Sequence, residues 1–294
     1  MYKKINIYYW NNGFGLKNDI VLLNQVLKEF DVVIYDISSD VISRKSDVGI
    51  FIQNIYVPYM NNNKINILIP NEEWLSNDEL IYLNNFDYVF VKSKYAKSIL
   101  DQYHKNIIVT GFFSLDRYFF TRDNKEMLFL KGKSIQKNHE LIGNYKQKIN
   151  IIDSNSKYLT ENELMYEINN HNIHICCSLY EAWGHYLWEA MSCGKLVICS
   201  EIPVFKEYLD PYLVKFIPIK WVYTSVINNE YLSKSLYKLR KGFFVDKSKF
   251  EDALNNKEEL FEFQKKNCDD IRQHFLEVNE KNKQKFLNTI KYII

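Results

Sequence analysis

Cysteine is sparse in this 294-residue chain: five in all, an odd number, with no Cys-x-x-Cys pair. That excludes a disulfide framework and a paired-cysteine zinc site, and reads as a reduced, cytoplasmic protein. Glycine (nine) and proline (five) are scarce in a background crowded with Asn, Ile, Lys and Tyr, the bias of an AT-rich genome. The few that occur are therefore expected to serve a local backbone need. No apolar run approaches the roughly 20 residues that span a bilayer. The opening Met1-Tyr-Lys-Lys-Ile-Asn-Ile is too short and too mixed for a secretory signal. Neither sign of charge dominates: 38 Lys and Arg face 36 Asp and Glu, a net +2. The basic excess of a nucleic-acid binder is missing. The rest is ordinary globular composition, 47% hydrophobic and 25% charged, on a length that suits one large domain or two of about 100–150 residues.

Short runs rich in Ile, Val, Tyr and Phe recur through the first 120 residues, at 5–10, 32–35, 48–52, 65–69, 88–91 and 107–109. They have the length of buried parallel strands. Segments 19–30, 77–84 and 94–103 carry apolar residues at helical spacing. Alternating strand and helix predicts a parallel sheet covered on both faces. A second series follows, with strands at 127–130, 149–152, 173–176, 196–199 and 214–217 and helices at 160–169, 186–192 and 204–209. Thr160 and Glu163 form a capping-box signature. From about Ser248 the chain reads as helix with a solvated Lys/Glu face. The polar stretch 121–125 reads as a linker. The organisation is thus two α/β domains, 1–120 and 121–294, the latter ending in helices. In such sheets ligands sit at the carboxyl ends of the strands, so the loops after strands are the places to look for chemistry.

Three loops stand out. Gly13-Phe-Gly15 follows the first strand and opens a helix, but Asn18 occupies the third glycine of a dinucleotide fingerprint. A phosphate or sugar contact, a nicotinamide site and a plain strand-to-helix turn all remain open for it. Gly132, Lys133 and Lys137 follow the first strand of the second half; they read either as diphosphate-neutralising point charges or as a solvated cluster. The third runs from Ser178 to Gly194. Glu181 lies in a loop among Trp183, His185, Tyr186 and Trp188; a helix begins near Gly184, carries Glu189 in its second turn and stops before Gly194. Carboxylates at a helix N-terminus accept sugar and ribose hydroxyls while the helix N–H groups attract phosphate. A surface Glu with a capping Glu is the plainer alternative. His174 and the cysteines of the strands and helices read as core residues.

The third loop resembles the Glu-x7-Glu signature of the retaining, nucleotide-sugar-dependent glycosyltransferases called group 1 or family 4. Their usual wording is Pro-Ser-x-x-Glu-Gly-x-Gly-x-x-x-x-Glu-Ala-x-x-x-Gly. Here it reads Cys177-Ser178-Leu-Tyr-Glu181-Ala182-Trp-Gly184, then Glu189-Ala-Met-Ser-Cys-Gly194, with Cys177 in place of Pro and Ala182 in place of Gly. Gly132-Lys133 with Lys137 resembles the family's diphosphate motif, Gly13 and Gly15 its N-terminal glycine loop, and 110–117 its interdomain connection.

The resemblance implies a GT-B fold, two Rossmann-like doubly wound domains facing a cleft, and transfer of a sugar from a UDP- or GDP-sugar to a glycan-, lipid- or protein-linked hydroxyl with retention of configuration. It implies no tightly bound cofactor or metal, no nucleic-acid partner and no membrane span, leaving peripheral membrane contact open. Glu181 and Lys137 would be catalytic. Lys133 and Lys137 would hold the diphosphate, and the backbone of Gly184, His185, Tyr186 and Leu187 would support phosphate or sugar. Glu189 would take the ribose, Gly15 would let its loop close on the donor, and Tyr158 with Leu159 would line the base pocket. Glu73 and Trp74 are expected on the acceptor side. A catalytically inactive, nucleotide-sugar-binding partner subunit is the alternative, and a nicotinamide-dependent oxidoreductase a more distant one.

Overall fold

The computed structural model describes residues 2–11, 15–119, 124–132, 134–153, 156, 159–222 and 242–294. The expected apolar runs all form strands: β1 (Lys4–Tyr9), β2 (Asp31–Asp36), β3 (Ser46–Ile52), β4 (Asn63–Ile69), β5 (Tyr88–Val91), β6 (Ile107–Val109), β7 (Asn124–Lys131), β8 (Asn150–Asp153), β9 (His171–Cys176), β10 (Leu196–Ser200) and β11 (Lys215–Ile217). An antiparallel pair, β12 (Ile219–Val222) with β13 (Gly242–Val245), was not expected from the pattern. The helices are α1 (Gly15–Val26), α2 (Val57–Met60), α3 (Asn77–Leu80), α4 (Lys94–Leu100), α5 (His139–Gly143), α6 (Glu161–Asn170), α7 (His185–Ser192), α8 (Pro203–Tyr208), α9 (Lys247–Asn255) and α10 (Lys257–Ile293).

Two compact units result. Among the described residues, one contains 2–113 and 280–294, the other 114–222 and 242–279. The sequence reading placed the boundary at 120 and all C-terminal helices in the second domain. Packing instead joins the end of α10 to the first unit, where buried Phe286 meets Phe90 and Phe113 edge-on at 5.8 and 5.9 Å.

The first unit is a parallel six-stranded sheet in the order β2-β1-β3-β4-β5-β6. Its central strands are buried on both faces, as their unbroken apolar sequences require: Ile5, Ile7, Val48, Ile50, Phe51, Ile67 and Leu68 are fully enclosed. Tyr8 stacks on Phe51 at 4.7 Å. The second unit is a parallel five-stranded sheet, β11-β10-β9-β7-β8. In both, strand order reverses beside the first strand of the unit, between β1 and β3 and between β7 and β9. Such a reversal splays the connecting loops apart and leaves a hollow at the carboxyl ends.

Candidate active site

The hollow at the β7/β9 reversal is real. A small pocket there is lined by Phe129 and Leu130 of β7, Ile175 and Cys176 of β9, and by Lys137, Ser178, Glu181, Gly184, Tyr186, Leu187 and Phe205. The loops after β7 and β9 are tied together by the Leu179 N–H donating to the Gln136 carbonyl at 2.7 Å.

Two glycines set helix α7 in place. Gly184 is its N-cap, at φ +81°. A Cβ there would lie 2.9 Å from the Phe205 ring and in the left-handed region, so only glycine fits. At the other end, the N–H groups of Gly194 and Lys195 return to the carbonyls of Met191 and Ala190 at 2.9 and 3.2 Å. That crossed pair, with Gly194 at φ +68°, is a Schellman closure. The N-terminal end of α7 is thereby fixed at the rim of the cavity.

Glu181 is buried, its side chain 8% exposed. Its Oε1 accepts from Ser178 Oγ at 2.7 Å and from the Lys137 ammonium. Lys137, in the short turn Ile135–Lys137 after β7, is partly open to solvent. A buried carboxylate and an accessible ammonium thus meet at the cavity wall, each holding the other in position.

Glu189 is enclosed on the inner side of α7 and pairs with Arg117 Nη2 at 3.4 Å. Burial pushes its carboxyl up, and Arg117 and His185 offset this only in part. For Arg117 itself, burial works against the charge, but Glu189 and Glu161 outweigh it and hold the guanidinium firmly cationic. Arg117 also anchors its backbone, its N–H donating to Ser192 Oγ at 2.9 Å.

His185, the first residue of α7, shares a 2.9 Å hydrogen bond between Nδ1 and Ser114 Oγ, which also accepts from Trp183 Nε1 at 3.0 Å. The Tyr186 ring turns into the core. His174 Nε2 faces the carbonyls of Ile168 and His171, so Nδ1 is the acceptor for the Tyr186 hydroxyl at 2.8 Å. His174 is the satisfied core histidine the sequence suggested. Leu187 lines the cavity with its side chain, while its N–H is bonded within the turn to the Gly184 carbonyl at 3.0 Å.

Other expected residues lie elsewhere. Gly13, Lys133 and Tyr158 fall outside the described residues. Leu159 is half-buried, beside the Thr160 cap of α6, where the expected capping box with Glu163 forms. Gly15 opens α1 with no atom within 4 Å of where a Cβ would be. Glu73 is buried and Trp74 half-buried, in the single turn Glu72–Trp74 of the first unit. Among the described residues no cluster of His, Cys, Asp or Glu could hold a metal, and no helix is long and apolar enough to cross a membrane. Sequence reasoning gave no role to Arg117 or Ser114, whose partners lie 72 and 71 residues away with no spacing to signal them.

The family model described as glycosyl transferases group 1 matches residues 121–239. No curated protein sequence matches the chain significantly. Among solved structures the chain is similar to sucrose-phosphate synthase from Thermosynechococcus elongatus, with a TM-score of 0.67 at 10% identity over 99% of both chains. It is also similar to the lipopolysaccharide outer core galactosyltransferase WaaB, with a TM-score of 0.59 at 12% identity over 99% of this chain and 100% of that one. Anabaena HepE in complex with UDP and glucose gives 0.58 at 10% identity, with 99% and 100% covered. Identities this low establish the fold. Residues 121–239 are a group 1 glycosyltransferase domain, and the whole chain has the two-domain GT-B fold of glycosyltransferases.

Proposed function

We propose that the protein is a retaining glycosyltransferase that takes its sugar from a UDP- or GDP-sugar and passes it to a hydroxyl of a glycan or other acceptor. The observation that carries this is the meeting of Lys137, Glu181 and the Gly184-capped start of α7 at the β7/β9 reversal. Breaking a sugar–diphosphate bond places positive charge on the sugar ring and negative charge on the departing phosphate. Donors fixed in advance where that charge grows are the main source of rate. Lys137 and the N-terminal end of α7 supply them for the phosphate. Glu181 offers a carboxylate to the sugar hydroxyls. In this reading the Lys137 ammonium moves from Glu181 towards the donor phosphate as the donor enters, so both charged groups meet complementary ligand atoms. Glu189 supports the ribose side of the donor, with Arg117 opposing the effect of burial on its carboxyl. Retention then follows from attack on the face the phosphate leaves, the phosphate oxygen taking the acceptor proton. HepE, whose structure contains UDP and glucose, gives the donor class its support.

The test is a thermal-shift screen over nucleotide sugars, followed by turnover and NMR of the anomeric proton of the product. Stabilisation by one UDP- or GDP-sugar and a product of unchanged configuration are expected. An inverted product would exclude the same-face mechanism, and binding of the donor without turnover would leave the chain a non-catalytic partner subunit.

A further inference from the structure

The first unit has its own strand reversal, between β1 and β3, and its carboxyl end carries a different chemistry. β1 pairs with β3 as far as Tyr8↔Phe51, and Trp10 and Gln53 each follow two residues further along the chain. Trp10 is 46% exposed and its ring lies parallel to that of Tyr56 within 9°, the centroids 6.5 Å apart. Trp10 and the half-buried Tyr56 together form a flat apolar ledge over the sheet's carboxyl end.

Gln53 is strained. Its φ is +65°, and the Asn54 N–H closes a three-residue turn onto the Ile52 carbonyl at 2.8 Å. This is the rare hand of the γ-turn, and it costs a non-glycine residue on the order of 1–3 kcal/mol. The side chain is held by a partly buried polar chain whose direction is fixed at its far end. Lys92, 3% exposed, sits beside Asp19 at 3.6 Å and over the Phe112 ring at 4.2 Å. Its ammonium can only donate, and it donates to Asn71 Oδ1 at 2.7 Å. Asn71 therefore turns its amide nitrogen to Gln53, donating to Oε1 at 3.0 Å. Gln53 is left with its NH₂ group, which donates to none of the described residues. Asp36 and Glu79 lie close enough to the Tyr56 hydroxyl to help burial push it up to about 12.

We propose that Trp10, Tyr56 and Gln53 form the acceptor subsite and that its ligand is an uncharged saccharide. This deepens the transferase reading and rests on it. The C–H face of a pyranose covers the aromatic ledge, as amphipathic rings favour. The Gln53 NH₂ donates to a ring or hydroxyl oxygen, and the Asp36 and Glu79 carboxylates accept hydrogen bonds from sugar hydroxyls while repelling a phosphorylated or acidic sugar. The strained turn at Gln53 aims that amide, and the Lys92–Asn71 chain prevents it from flipping.

The test is transfer from the stabilising nucleotide sugar to an array of neutral, phosphorylated and sialylated oligosaccharides, peptides and lipid-linked acceptors. Neutral sugars should be glycosylated. Trp10→Ala, at an exposed site, should raise the KM for the best of them at least ~10-fold, the scale of losing a binding hot spot. The stabilising nucleotide sugar should still raise the melting temperature of that variant. Gln53→Gly should raise the same KM while raising the melting temperature, because it removes strain. Unchanged KM in Trp10→Ala, or transfer confined to peptides, lipids or anionic sugars, overturns the proposal. The same neutral sugars are offered without nucleotide in saturation-transfer NMR. Sugar binding lost in Trp10→Ala by a protein that binds no nucleotide would sink the transferase reading and leave this site standing. Nucleotide binding with neither sugar binding nor transfer would do the reverse.

Discussion

Lys137 and Glu181 hold each other, so their variants act on both structure and rate. Lys137→Ala leaves the enclosed Glu181 carboxylate with the Ser178 hydroxyl but without its cation. We expect a stability loss of about 1–3 kcal/mol and a fall in transfer of at least ~100-fold. Glu181→Gln keeps the shape and should lose a similar factor in transfer. Near-normal transfer by a folded Lys137→Ala protein would remove the lysine from the phosphate role. His174 gives a prediction that does not depend on function. Burial, helped by His171 and Lys195, drives its pKa down to about 3 from the ordinary 6.5. Between those values the unfolded chain takes up a proton that the folded one refuses. The stability is therefore complete above pH 6.5 and lost as pH falls towards 3, by up to about 1.4 kcal/mol per pH unit. The urea midpoint of the native protein should fall more steeply between pH 6.5 and 5 than that of His174→Gln; parallel lines would contradict the assignment.

Helix α7 shows how an element and its ends do separate work. Its start, at Gly184, cannot take a side chain, whereas Gly15, which opens α1, has open space where a Cβ would stand. Gly184→Ala should cost about 2 kcal/mol or more from the left-handed backbone and the Phe205 ring together. Gly15→Ala should leave stability unchanged or slightly raised, so any loss of transfer there would report on its loop meeting the donor. Matching losses of melting temperature in both would show that the space around Gly15 has been misjudged. The elements themselves were legible because local pattern decided them. The runs of Ile and Val gave β1 to β11, Thr160 and Glu163 gave the start of α6, and Gly194 the end of α7. The β12–β13 pair escaped because its strands are short and twenty residues apart, so no turn signal joins them. Glu181 could be singled out because loop, glycine and helix follow one another in sequence. The Arg117–Glu189 pair and the Lys92–Asn71–Gln53 chain could not, since each is assembled from separate strands and loops by tertiary packing.

At the scale of the molecule, one architectural device is used twice with opposite chemistry. Each parallel sheet reverses its strand order once, where such folds leave a hollow at the carboxyl ends. The second unit fills its hollow with charge, Lys137 against Glu181, which suits a diphosphate. The first fills its own with parallel aromatic rings and a fixed amide, which suits a neutral ring of hydroxyls. A donor saturating its site at 100 times its Kd adds about 2.7 kcal/mol of stability by mass action. That stability should appear where the donor touches. Hydrogen exchange with the nucleotide sugar should therefore protect 178–190 and the loop after β7 most strongly. A neutral saccharide alone should protect 10–11 and 53–56 and leave 178–190 near its unliganded rate. Nucleotide protection centred on the ends of β1 and β3 would move the donor to the first sheet and reverse the assignment of the two hollows. Protection by saccharide centred on 178–190 would show that the charged hollow accepts sugar without a phosphate, and that the aromatic ledge has another use.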